Sequence, residues 1–227
     1  MTGVLVNTVA VFLGGFLGLL GGKLLTEKLN RAAMTGLALC VLYIGISGAL
    51  KGENVLFTIA AMVLGSLLGT LLDIDGKISR LGEKVQELSK DRFGSVAEGF
   101  VTASLLFCVG AMAVTGSLDA GLRGDNATLY AKSALDFVAA IMLASTLGFG
   151  VALSGFAVLV YQGLIALLAG LIAPLLSPQA VSEMACTGSL LIIALGLNML
   201  GLTKIKVADL LPAILIAPVL VLITSLF

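Results

Sequence analysis

Apolar residues along this chain gather into runs about as long as a bilayer is thick, separated by short polar or Gly/Pro breaks. The pattern predicts eight spanning helices, at 4–22, 32–50, 55–72, 99–118, 129–147, 152–173, 184–202 and 207–227. The apolar stretch from Leu129 to Leu176 is too long for one crossing, and Gly148, Gly150 and Gly155 mark its reversal. Pro174, Ser177, Pro178 and Gln179 end the sixth helix. One substantial polar region remains, 73–97. Within it Ile74, Ile78, Leu81, Val85 and Leu88 recur at helical steps, predicting an amphipathic helix over 74–90 that lies on the membrane surface or against a neighbouring subunit.

The runs also repeat one another. Glu98, Thr102, Ser104, Leu105 and Leu106 return without a gap as Glu183, Thr187, Ser189, Leu190 and Leu191, and the Asp136-Phe-Val-Ala-Ala-Ile stretch is answered by Asp209-Leu-Leu-Pro-Ala-Ile. The copies lie an odd number of crossings apart, so they have opposite orientations in the membrane. The expected organisation is one integral membrane domain, all-α: a partial copy in 1–50, a repeat in 54–147 that carries the surface helix, and an inverted repeat in 152–227. Helices three to five thus answer helices six to eight. Leu13-Gly-Gly-Phe-Leu-Gly18 also resembles Leu64-Gly-Ser-Leu-Leu-Gly69, glycine spacing that suits close helix crossing.

Composition agrees with this pattern. The chain is 59% hydrophobic and 11% charged, with a mean hydropathy of +1.15, far more apolar than a soluble domain. Its formal charge is zero, which gives no electrostatic basis for binding nucleic acid. The eight-helix division places ten Lys and Arg residues on one side (Lys23, Lys28, Arg31, Lys77, Arg80, Lys84, Lys90, Arg92, Lys204, Lys206) and three on the other (Lys51, Arg123, Lys132). The richer side is cytoplasmic by the positive-inside rule, so both termini are expected outside. No basic region precedes the first run, which is therefore read as a spanning helix rather than a cleaved signal. Histidine is absent, and Cys40, Cys108 and Cys186 are isolated and read as small buried apolar residues; no disulfide framework, metal or cofactor is expected.

The residues that could carry chemistry are few. Glu98 and Glu183 each open an apolar helix, where they serve either as dipole-favoured caps or as two acidic mouths, one at each face. Asp136 and Asp209 each follow a lysine near a helix start, and suit either a salt-bridged position or cation handling. Asn198 and Gln162 are the most central polar side chains. With Asn7, Ser47, Thr102, Ser104, Thr187 and Ser189 they either line a path for a small ion or solute or tie helices together. Pro212 and Pro218 interrupt the eighth helix, as a packing kink or as part of a broken-helix site. No nucleophile–base pair, phosphate loop or dinucleotide fingerprint occurs, so an enzyme is the least favoured class.

At Glu98-Gly-Phe-Val-Thr-Ala-Ser-Leu-Leu-Phe-Cys-Val-Gly-Ala-Met112, Gly116-Ser-Leu-Asp-Ala-Gly121, Lys132-Ser-Ala-Leu-Asp136, Ala144-Ser-Thr-Leu-Gly148, Tyr161-Gln-Gly163 and Leu211-Pro-Ala-Ile-Leu215 the chain resembles a bacterial family of multi-pass membrane proteins, domain of unknown function 554. The resemblance covers essentially the whole chain and implies a bacterial inner-membrane protein, without a substrate or catalytic residues. Ala111 and Asp209 depart from the family pattern, which usually has proline and asparagine there, and this shifts weight from Asp209 to Asp136. The leading expectation is transport or channelling of a small ion or solute through the interface of inverted repeats. The alternative is a membrane scaffold or assembly partner. Beyond the lipid bilayer, a homodimer is the partner that the small-residue helix faces suggest.

Overall fold

The computed structural model describes residues 1–22, 27–80 and 96–225, and every regular element among them is helical. The helices are α1 (Thr2–Gly22), α2 (Glu27–Ala49), α3 (Val55–Leu71), α4 (Ile74–Arg80), α5 (Val96–Cys108), α6 (Ala111–Leu122), α7 (Ala127–Leu147), α8 (Phe149–Leu167), the single turn α9 (Ala169–Ile172), α10 (Pro178–Met199) and α11 (Pro212–Thr224). Short 3-10 turns at Ala173–Leu175 and Val207–Leu210 precede α10 and α11.

Among the described residues six stretches are long and apolar enough to cross a bilayer, and eight if the bent pairs α3–α4 and α5–α6 each count as one span. Where a straight fourth crossing is expected the chain forms a bent pair: α5 and α6 meet at 61°, across Val109 and Gly110. The expected surface helix is represented by α4, bent 52° from α3; residues 81–90 of that expectation lie outside the described residues. The seventh helix begins at Pro178 rather than Met184, because Ser177 caps it through its hydroxyl, 3.1 Å from the Ala180 N–H, and Pro178 fits the first helical turn.

Large apolar side chains stand exposed along whole helix faces, including Leu5, Val9, Leu13, Phe16 and Leu20 of α1 and Val55, Ile59, Val63 and Leu67 of α3. Such faces suit a hydrocarbon environment. The buried faces of these two helices are built mostly from small residues, among them Gly14, Gly15 and Gly18 of α1 and Ala61, Gly65 and Gly69 of α3.

The helices form two compact units, each assembled from interleaved rather than contiguous segments. In the first, α1 runs parallel to α7. A Cβ on Gly14 would fall on the Phe137 carbonyl and Ala140, and one on Gly18 on the Ile141 carbonyl and Ala144. Side chains there would force the backbones apart, and close backbone approach drives association where lipid removes the hydrophobic incentive. α8 runs antiparallel to α1, with Gly15 over Ala152 and an edge-on Phe12–Phe156 contact at 4.9 Å. The broken pair α5–α6 accompanies α8 along its length, Gly150 lying against Val96 and Gly121 against Ala166.

In the second unit α3 runs antiparallel to α11, with Gly65 on Ala213 and Gly69 on the Asp209 backbone. α2 runs antiparallel to α10, Gly196 meeting Leu42, Gly45 meeting Ile193 and Gly48 meeting Ser189. Within the first unit α5, α7 and α8 touch one another; within the second α10, α11 and α3 do. Under the sequence repeat these are corresponding triplets, with α8 in the first unit answering to α3 in the second.

Candidate functional site

The buried face of α7 carries Leu129, Lys132, Ser133, Asp136, Ala140 and Leu143, a helical spacing that puts Lys132 and Asp136 one turn apart on the packed side. Both are buried, and the Lys132 Nζ donates to Asp136 Oδ1 at 2.8 Å and to Oδ2 at 2.7 Å. Neither charge is tolerable alone at this depth, so the ion pair is the form in which an apolar helix can bury them. Ser133 satisfies its hydroxyl on the Leu129 carbonyl at 2.7 Å.

Asn7 reaches the pair from α1. Its place on the small-residue stripe of Gly3, Val11, Gly14 and Gly18 holds it on the packed face. Its Nδ2 donates to Asp136 Oδ2 at 3.0 Å and to Gln162 Oε1 of α8 at 3.3 Å. Asn7 and Gln162 are both fully buried. Even so, Asn7 Oδ1 and Gln162 Nε2 have no hydrogen-bond partner. One acceptor and one donor, from two helices, are thus left open beside a buried ion pair, where an unmet polar group costs about 1–3 kcal/mol. Val4, Ala120, Leu129 and Ala166 form a buried apolar cluster, with Val4, Leu129 and Ala166 one helical turn from Asn7, Lys132 and Gln162. One turn along the other way, Val11, Ala140 and Val158 are wholly buried. Asn7, Lys132, Asp136 and Gln162 are thus all buried within this unit.

The remaining candidates divide differently from their sequence symmetry. Glu98 is exposed on the first turn of α5. Glu183 is fully buried and accepts from the Glu53 N–H at 2.8 Å, the Asn54 N–H at 2.6 Å and the Thr58 hydroxyl at 3.1 Å. It is therefore a clamp on the start of α3 rather than an open mouth. Asp209 likewise accepts from the Asp75 N–H at 2.9 Å, holding the start of α4.

Asn198 is not central. α10 ends at Met199, so Asn198 is its penultimate residue, and it fastens the following turn through Thr203 and both backbone groups of Ile205. Of the hydroxyls, Ser189 bonds back to the Ala185 carbonyl, while Thr102, Ser104 and Thr187 have buried oxygens without partners. Cys40 is exposed, contrary to the buried reading, whereas Cys186 is buried.

The structure thus joins Asp136 and Gln162, two candidates from different helices, with Asn7. It adds Lys132, which had been counted among the loop charges; its four-residue spacing from Asp136 within a helical run was the signal for burial as a pair. No group of three or more His, Cys, Asp or Glu side chains capable of holding a metal occurs among the described residues. A groove of about 480 Å³ between α3 and α10, lined by Val55, Ile59, Met62, Val63 and Leu190 with Thr58 and Cys186, is almost wholly apolar and offers an ion little.

A family model described as "Protein of unknown function (DUF554)" matches residues 2–222. The chain is 30% identical to the "Uncharacterized membrane protein YdfK" of Bacillus subtilis (strain 168), over 100% of this chain and 98% of the relative. It is 34% identical to the "Uncharacterized protein YqgA" of Escherichia coli (strain K12), over 95% of this chain and 94% of the relative. No solved structure matches.

Proposed function

The chain belongs to the DUF554 family of proteins of unknown function, and from that premise we propose that it moves a small ion or small polar solute across the bacterial inner membrane. The observation that carries this reading is the buried cluster of Asn7, Lys132, Asp136 and Gln162, with an unmet acceptor and an unmet donor inside a helical membrane unit. A purely structural polar tie would be expected to satisfy its own amides. The inverted-repeat reading is supported by the corresponding triplets α5, α7, α8 and α10, α11, α3, and by the broken helix α5–α6, a feature recurrent in transporters built on such repeats. Binding and release are the whole of the assigned chemistry, and no catalytic step is invoked.

The test is water access. In a chain with Cys40, Cys108 and Cys186 replaced by alanine, Gln162→Cys is exposed to a small membrane-impermeant thiol reagent in sealed vesicles. A transport site must open to water during its cycle, so the folded protein is expected to be modified. Modification seen only after unfolding would make the cluster a sealed structural tie and overturn the proposal.

A further inference from the structure

Resting on that transport reading, we infer that the site takes a monovalent cation in exchange for a proton, with Lys132 acting as a built-in competitor for Asp136. The cluster offers three side-chain oxygen sources: the Asp136 carboxylate, Gln162 Oε1 and the unpartnered Asn7 Oδ1. Oxygen-only ligation suits a hard cation such as Na⁺ or K⁺. The obstacle is Lys132, whose ammonium already occupies both carboxylate oxygens at 2.7 and 2.8 Å. Two positive charges on one buried carboxylate would leave a net charge in the membrane, which is strongly unfavourable.

The economical exchange keeps the site neutral. The cation settles on the Asp136 carboxylate, the Lys132 ammonium releases one proton to water and remains as a neutral amine, and charge balances with one positive charge in and one out. The neutral amine keeps a lone pair and can stay as a further ligand. A turn of the Asn7 amide would bring its Oδ1 to the place where Nδ2 now sits between Asp136 and Gln162.

Other ionisable groups near α7 are poorly suited to substitute for Lys132, although Cys108 lies within electrostatic reach of the pair. α1 contributes none. α8 contributes Tyr161, and α5 contributes Cys108 and the exposed Glu98. Thiols and phenols ordinarily ionise only in the alkaline range. On α6, Asp119 pairs with Arg123 near the surface at 3.9 Å. Tyr130, on α7 itself, is exposed.

The experiment reads proton release from the detergent-solubilised full chain in weak buffer with a pH-sensitive dye, on addition of NaCl or KCl against choline chloride. The wild type is expected to release roughly one proton per chain at saturation. Its apparent cation affinity should rise by up to about tenfold per pH unit, as one-proton linkage requires. Lys132→Arg keeps the pair but holds its proton, so release and cation binding should both be lost. No release from the wild type, or release unchanged in Lys132→Arg, overturns the exchange. Flux in vesicles without proton release would sink this inference and leave the transport reading standing; proton release without flux would do the reverse.

Discussion

At the scale of single residues, the two glutamates of the repeated motif show what identity of sequence leaves undetermined. Glu98 and Glu183 occupy the same motif position, yet one is exposed and the other buried with three donors. The difference lies in their neighbours: the turn before α3 offers the N–H groups of Glu53 and Asn54 and the hydroxyl of Thr58, and α10 brings Glu183 to them. Removing the carboxylate takes the shared acceptor from all three donors. Glu183→Ala should therefore destabilise the protein by about 1.5–3 kcal/mol in denaturant unfolding in detergent, while Glu98→Ala should change stability by less than about 0.5 kcal/mol. Equal effects would show that the two positions are equivalent after all. Asp136 and Gln162 were legible as polar side chains in apolar runs. Their convergence with Asn7 was not, because it depends on which faces of α1, α7 and α8 meet.

At the scale of elements, the run lengths located the helices well, since a bilayer demands a near-fixed length of apolar chain. The ends and breaks were harder to read. Asn198 reads as central in an apolar run drawn over 184–202, whereas α10 ends at Met199, and Ser177 and Pro178 start it early enough to enclose the buried Glu183. The break between α5 and α6 gave little signal beyond Gly110, as an apolar run reads the same whether straight or bent. The glycine stripe of α1 was legible as a close-packing face, and it discriminates between neighbouring positions. Gly18 faces the Ile141 backbone of α7, whereas Gly21 has nothing within 4 Å. Gly18→Val should cost about 1–3 kcal/mol by overpacking, and Gly21→Val should be tolerated to within about 0.5 kcal/mol. The same unfolding measurement checks both; a tolerated Gly18→Val would mean that α1 and α7 are not in backbone contact.

At the scale of the molecule, composition alone identifies a membrane protein, and the exposed apolar helix faces agree with it. The repeat pointed to two related sets of helices. That each compact unit is assembled from interleaved segments was beyond the reach of sequence, because a duplication records similarity of segments without recording which segments pack together. The charge asymmetry between loops carries a topological prediction: tags at either terminus should be accessible from outside right-side-out vesicles. Protection of either terminus would overturn the assignment.

The central claim is that the buried ion pair is where transport happens, and flux tests it most directly. Wild-type protein and Asp136→Asn, both shown to be folded by matching gel-filtration profiles, are reconstituted into sealed vesicles and assayed for uptake of Na⁺, K⁺ and small neutral solutes. The account predicts uptake by the wild type of at least one of these above protein-free vesicles. It predicts a loss of about tenfold or more in Asp136→Asn, corresponding to a charge-assisted interaction of about 1.5–3 kcal/mol. Undiminished uptake in Asp136→Asn, or a wild type that moves none of them, would contradict it.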